Sequence, residues 1–168
     1  MRMRLYHGSV NMIEEPEFGV GNSKNDYGQG FYCTEHIELA KEWACAENRD
    51  GFANEYELET DGLSIMNLSD ARYHILNWLA ILLENRTFVI ERGLALTAKD
   101  YILSEFLPEY KNADVIRGYR ADDSYFSFAS AFLNNTITLE QLGKAMTLGK
   151  LGEQVVLKSK GSFAQLKY

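Results

Sequence analysis

The sequence predicts an α+β fold, and three observations point there. Strand-like stretches crowd the first half of the chain, at residues 3–7, 31–33, 52–59 and 63–68. Helical spacing takes over in the middle, at 71–85 and 98–106, before strand patterns return at 113–119 and 153–158. The alternation is irregular, which favours α+β over a doubly wound parallel sheet. Gly28-Gln29-Gly30 also lacks a third glycine and precedes a strand, so the dinucleotide-binding fingerprint of a parallel sheet is absent.

Taken in order, residues 3–7 make a short strand that ends at Gly8-Ser9, followed by a polar, glycine-rich connection over 10–29. A loop of that length in a small domain is usually functional. Phe31, Tyr32 and Cys33 are strand formers, and the glycine pair ahead of them would let a ligand lie against the backbone. From His36 the period changes, with Ile37, Leu39, Ala40, Trp43 and Ala44 at helical spacing within 35–48 and Thr34 as the expected cap. Phe52, Tyr56 and Leu58 mark the next strand, and Asp61-Gly62 is expected to turn it into a hairpin with 63–68. Ser69-Asp70 is the expected cap of a helix at 71–85 that is apolar on nearly every side. Its apolar run, residues 75–83, falls short of the roughly 20 residues a bilayer requires. Thr97 is expected to cap the helix at 98–106, Asp122-Asp123 to open one reaching 133, and Thr138 to open one reaching 146. Gly149 and Gly152 then break the chain before the strand at Glu153, and 161–168 complete the fold.

A chain of 168 residues, 46% hydrophobic, is expected to form one domain over 1–168 with a core that needs no disulfides. The net charge of −7 disfavours non-specific binding to duplex nucleic acid. Cys33 and Cys45 read as buried free thiols of a reducing compartment, and three scattered histidines give no metal-ligand spacing. Met1-Arg2-Met3-Arg4 is basic, but no apolar run of signal-peptide length follows, so a cytoplasmic location is expected.

Three stretches gain meaning together: Leu5-Tyr6-His7-Gly8-Ser9, Gly28-Gln29-Gly30-Phe31-Tyr32 and Glu153-Gln154-Val155-Val156-Leu157. In this order and spacing they resemble the His-Tyr-Glu signature of the ADP-ribosyltransferase superfamily, the branch of the poly-ADP-ribose polymerases and diphtheria toxin. The whole chain, including Gly118-Tyr119-Arg120-Ala121-Asp122-Asp123, also looks like a bacterial family of small proteins of unknown function within that superfamily.

The resemblance implies two small sheets around an NAD cleft with flanking helices, and NAD as a substrate without a metal. His7 matches the histidine that holds a ribose hydroxyl, Gly8 the glycine whose backbone fixes the carboxamide, and Tyr32 the tyrosine stacked on nicotinamide. Trp43 falls where polymerase-like members place a second stacking aromatic, and Glu153 matches the catalytic glutamate. Ser9, Gly30 and Phe31 are implied as further cofactor-binding positions, while Gln154, Arg120, Asp122 and Asp123 are weaker candidates. Ala40 stands where polymerase-like members have a serine, and Leu151 stands where arginine-modifying members carry Glu or Gln. The activity implied is mono-ADP-ribosyl transfer to a protein or nucleic acid, as in a toxin or defence protein, with an antitoxin or immunity protein as a candidate partner. NAD glycohydrolysis and a catalytically silent NAD-binding or nucleotide-binding module are the alternatives.

Elementary chemistry is consistent with the same residues. Breaking a nicotinamide–ribose bond develops positive charge on the ribose, which a nearby carboxylate such as Glu153 stabilises most in the transition state. An aromatic ring such as Tyr32 holds a planar leaving group, and a neutral imidazole such as His7 orients a ribose hydroxyl. A one-residue slip in the last strand would exchange Glu153 for Gln154 at the cleft.

Overall fold

A computed structural model describes residues 1–90, 93–121, 123–146 and 152–168, leaving aside the side chains of residues 47 and 123–125. It is α+β, with two sheets and six helices among the described residues. The first sheet has the order β1 (Arg2–Ser9), β3 (Phe52–Glu59), β7 (Leu166–Lys167), all antiparallel. The second has the order β2 (Phe31–Cys33), β6 (Glu153–Leu157), β5 (Val115–Tyr119), β4 (Ile65–Asn67), antiparallel except for the parallel pair β4–β5. An isolated bridge, Tyr6 with Thr34, ties the middle of β1 to the residue that follows β2. No helix among the described residues is long and apolar enough to cross a membrane.

The core divides along β6. Val155 and Leu157 point between the two sheets, where they meet Leu5, Cys33, Leu58 and Val115. Val156 points the other way, into a larger cluster built on α2 (Ile75–Asn85), α3 (Leu94–Phe106), α4 (Asp123–Leu133) and α5 (Leu139–Met146). α1 (Ile37–Ala44) instead packs on β1 and β3 through Leu39, Ala40 and Ala44. A short α6 (Lys160–Ala164), capped by Ser159, leads into β7.

Several local expectations change. Residues 52–59 and 63–68 do not form a hairpin, because the turn at Asp61-Gly62 carries the chain out of one sheet and into the other, where β4 pairs with β5. α2 starts at Ile75 and is capped by His74 and Asn77 in a reciprocal box, while Ser69 and Asp70 are spent in the preceding turns. Thr97 lies inside α3, which begins at Leu94. Thr34 is not the cap of α1: it belongs to the bridge, and its hydroxyl accepts from His36 N and donates to Glu153 O. Thr138 does engage Gln141 reciprocally ahead of α5, as the sequence suggests. Cys33 is a buried free thiol, but Cys45 is exposed.

Candidate functional site

The site is assembled where β1 meets β2. Gly8 lets α1 approach the end of β1 so closely that a Cβ there would lie 2.0 Å from the Ala40 carbonyl oxygen and 2.8 Å from Trp43 Cβ. That contact sets the position of Trp43. On β2, the Tyr32 hydroxyl accepts from Tyr27 N at 2.9 Å and donates to Gly28 O at 2.6 Å, so the phenol is anchored to the loop and the ring forms a wall. Gly28 has φ +78°, which closes the turn in which its N–H donates to Asn25 O. Lys158 Nζ holds the same loop by donating to Tyr27 O and Gln29 O. Burial pushes the Tyr32 phenol well above its ordinary value, so it stays neutral.

His7 sits beside Tyr32 and its Nδ1 lies 2.6 Å from the Tyr32 carbonyl oxygen. A carbonyl only accepts, so Nδ1 carries the proton and Nε2 is left as an acceptor. Burial lowers the His7 pKa below its ordinary value, against the upward pull of that hydrogen bond. The imidazole is therefore neutral at pH 7, with the Phe31 ring centroid 4.3 Å away.

His7, Gly8, Tyr32, Trp43, Arg120 and Gln154 line one cavity of about 290 Å³, together with Asn25, Asp26, Arg86 and Ala121. Both arginines of the lining have carboxylate partners, Arg86 with Asp26 at 2.6 Å and Arg120 with Glu42 at 3.4 Å. A second cavity of about 420 Å³ shares His7, Asn25 and Tyr32 with the first and is walled by Gly30, Phe31, Phe163 and residues of the 13–21 loop. That loop is held down by Ile13, whose N–H donates to Asn54 Oδ1 and whose carbonyl accepts from the Tyr56 hydroxyl. Gln29 Nε2 also donates to the carbonyls of Gly19 and Gly21. A separate cavity of about 400 Å³ between α2, α3 and α4 is mainly apolar, with Asn134 and Asn135 at its wall, and includes none of the expected site residues.

Two expected residues lie elsewhere. Glu153 is outside the cleft, on the face of β6 shared with Val155 and Leu157. There its carboxylate accepts from Ser69 Oγ at 2.7 Å and from Arg117 at 2.7 and 3.1 Å, and Arg117 also reaches Glu35 at 2.8 Å. Burial pushes the Glu153 carboxyl up, but the Ser69 and Arg117 contacts outweigh it and hold the pKa below its ordinary value. Of the two candidates on β6, Gln154 and not Glu153 lines this cavity, buried on the helix-facing side of the strand with Val156. Ser9 lines neither cavity; its hydroxyl donates to Asn11 O and accepts from Asn54 Nδ2. The glycine pair is also less open than the sequence suggests, since a Cβ on Gly30 would strike Val156 and Leu157 of β6. Asp122 and Leu151 lie outside the described residues, as does the Asp123 side chain.

Sequence reasoning missed Asp26 and Arg86. The Asp26 carboxylate, 6% exposed, accepts from Arg86 Nη1 at 2.6 Å, Ala121 N at 3.0 Å and Gln154 Nε2 at 2.8 Å. Arg86 directly follows α2, donates also to Ala121 O and stacks its guanidinium 4.6 Å from the Phe126 ring centroid. The available signal for Asp26 was its place in the 10–29 connection two residues before Gly28-Gln29-Gly30; nothing local marks Arg86.

No curated protein and no solved structure matches this chain. A family model described as "Protein of unknown function (DUF3990)" matches residues 3–168, and the chain belongs to that family.

Proposed function

We propose that the cleft binds NAD and that the protein is a mono-ADP-ribosyltransferase with an ADP-ribosyltransferase-like fold, acting on a protein or nucleic-acid acceptor. The observation that carries this reading is the convergence in one cavity of His7 from β1, Tyr32 from β2 and Trp43 from α1. These are the residue types the His-Tyr-Glu resemblance implies for NAD, and they come from distant parts of the chain.

The residues present fit such a substrate. Tyr32 and Trp43 offer aromatic faces to nicotinamide, and His7 Nε2 offers an acceptor to a ribose hydroxyl. Arg86 and Arg120 line the same cavity and suit a pyrophosphate, although Arg120 also lies 3.4 Å from Glu42. The adjoining cavity beneath the 13–21 loop has room for the remaining part of a dinucleotide. Gln154, in place of Glu153, is the residue of β6 that would meet the nicotinamide ribose, and its carbonyl oxygen would bring partial negative charge to the positive charge developing there.

A second reading has its own observation. The residue of β6 in the cleft is a neutral amide, and Glu153 is committed to Arg117 and Ser69, which favours a catalytically silent NAD-binding module acting through a partner. Calorimetric titration with NAD, followed by incubation of adenylate-labelled NAD with fractionated cytoplasmic extract, separates the readings. Label transferred to a macromolecule with stoichiometric nicotinamide release supports the transferase. Nicotinamide release without transfer supports a glycohydrolase, binding without release supports the silent module, and no binding refutes all three.

A further inference from the structure

We infer that Asp26 is the positioning residue of the cleft, holding the Gln154 amide so that its carbonyl oxygen is turned toward the ligand, and that the two residues act as a unit. The inference rests on the reading of the cleft as an NAD site. Its physical basis is the chemistry of the contact. A carboxylate oxygen accepts only, so the end of Gln154 that lies 2.8 Å from Asp26 Oδ2 must be its NH₂ group. The carbonyl is then the opposite end, and flipping the amide would set an oxygen against the Asp26 carboxylate.

Asp26 is itself fixed from three directions, by Arg86 after α2, by the Ala121 N–H after β5 and by Gln154 on β6. Donation of an N–H to a carboxylate also polarises the amide and makes its oxygen a better acceptor. An amide fixed in the reverse sense would present N–H groups, and so positive charge, to a ribose on which positive charge is developing.

The same geometry accounts for an amide at residue 154 in place of a carboxylate. Glutamate there would put two carboxyl groups within hydrogen-bond distance, and even with Arg86 beside Asp26 their repulsion favours a proton held between them. Glutamate should therefore work at residue 154 only when residue 26 is neutral.

The test compares the wild type with Asp26→Asn, Gln154→Glu and the double variant, using NAD itself as the probe. Asp26→Asn is expected to lose about tenfold in nicotinamide release at saturating NAD, because the amide loses its fixed sense. Gln154→Glu is expected to show a rate that depends on a group titrating above the ordinary carboxylate range, from the proton shared with Asp26. The double variant is expected to lose that titration and recover at least the rate of Asp26→Asn. Simple addition of the two single effects, with NAD still bound, would overturn the unit and leave the cleft reading standing. Absence of NAD binding by the wild type would overturn both. Should Asp26→Asn fail to fold, the rate–pH profile of Gln154→Glu decides the matter alone, since a carboxyl at residue 154 that did not face Asp26 would show no titration above the ordinary carboxylate range.

Discussion

Gly8→Ala tests how β1 positions α1, and through it Trp43. A methyl group at residue 8 would sit 2.0 Å from the Ala40 carbonyl oxygen, 2.7 Å from Ala44 N and 2.8 Å from Trp43 Cβ. All three atoms belong to α1 and two are backbone, so no rotamer change relieves the clash. Restoring ordinary contact at the closest pair requires roughly 1.4 Å of separation between β1 and α1. Overpacking of this kind costs about 1–3 kcal/mol. At about 2–4 °C per kcal/mol for a chain of this size, the melting temperature should fall by several degrees. The ligand effect is the sharper one. Trp43 moves with its helix, so its stack on nicotinamide, worth on the order of 1 kcal/mol, should be lost and the NAD dissociation constant should rise about fivefold. Scanning calorimetry and NAD titration measure the two effects. A variant that melts with the wild type and binds NAD equally well would refute both the close approach and the role given to Trp43.

Fluorescence distinguishes the two tryptophans: NAD should quench emission in Trp78→Phe, which retains the cleft indole, and fail to do so in Trp43→Phe, where only the core indole bonded to Tyr119 O remains. The pH dependence follows from the sign of each shift. Because the His7 pKa is lowered by burial in the folded state, its contribution to stability is complete above the ordinary value of 6.5 and is lost as pH falls below it. NAD affinity should weaken over the same range as Nε2 takes up a proton, and both trends, measured by melting and by titration, should vanish in His7→Gln. Glu153, also lowered in the fold, contributes stability above its ordinary value of 4.5 that is lost as pH falls through the folded value, so Glu153→Gln should flatten the acid limb of the melting profile. At neutral pH that replacement should cost on the order of 1 kcal/mol, since the Arg117 pair is only part-buried and the Gln amide still accepts from Ser69 and Arg117.

Most elements were legible because their signals are local. The helical spacing at 37–44, the apolar block of α2 and the strand-forming residues of β3 and β5 each declare themselves within a dozen residues. Which sheet a strand joins is a long-range matter, and the Asp61-Gly62 turn looks like a hairpin turn although β3 and β4 belong to different sheets. The register of β6 was hidden for a related reason. Val155, Val156 and Leu157 are buried on both faces, so no polar alternation reveals which of Glu153 and Gln154 points to the helices. The cleft residues His7, Tyr32 and Trp43 could be named from motif spacing, but Asp26 and Arg86 could not be joined before the fold brought them together across sixty residues.

Nicotinamide release from NAD by Glu153→Gln and Gln154→Ala tests the central claim most directly. The cleft described above predicts that Glu153→Gln retains the wild-type rate to within about twofold, while Gln154→Ala, with NAD still bound, loses about 100-fold. Full activity in Gln154→Ala together with collapse in Glu153→Gln would contradict it, and would place the working carboxylate on the face of β6 that carries Arg117 and Ser69.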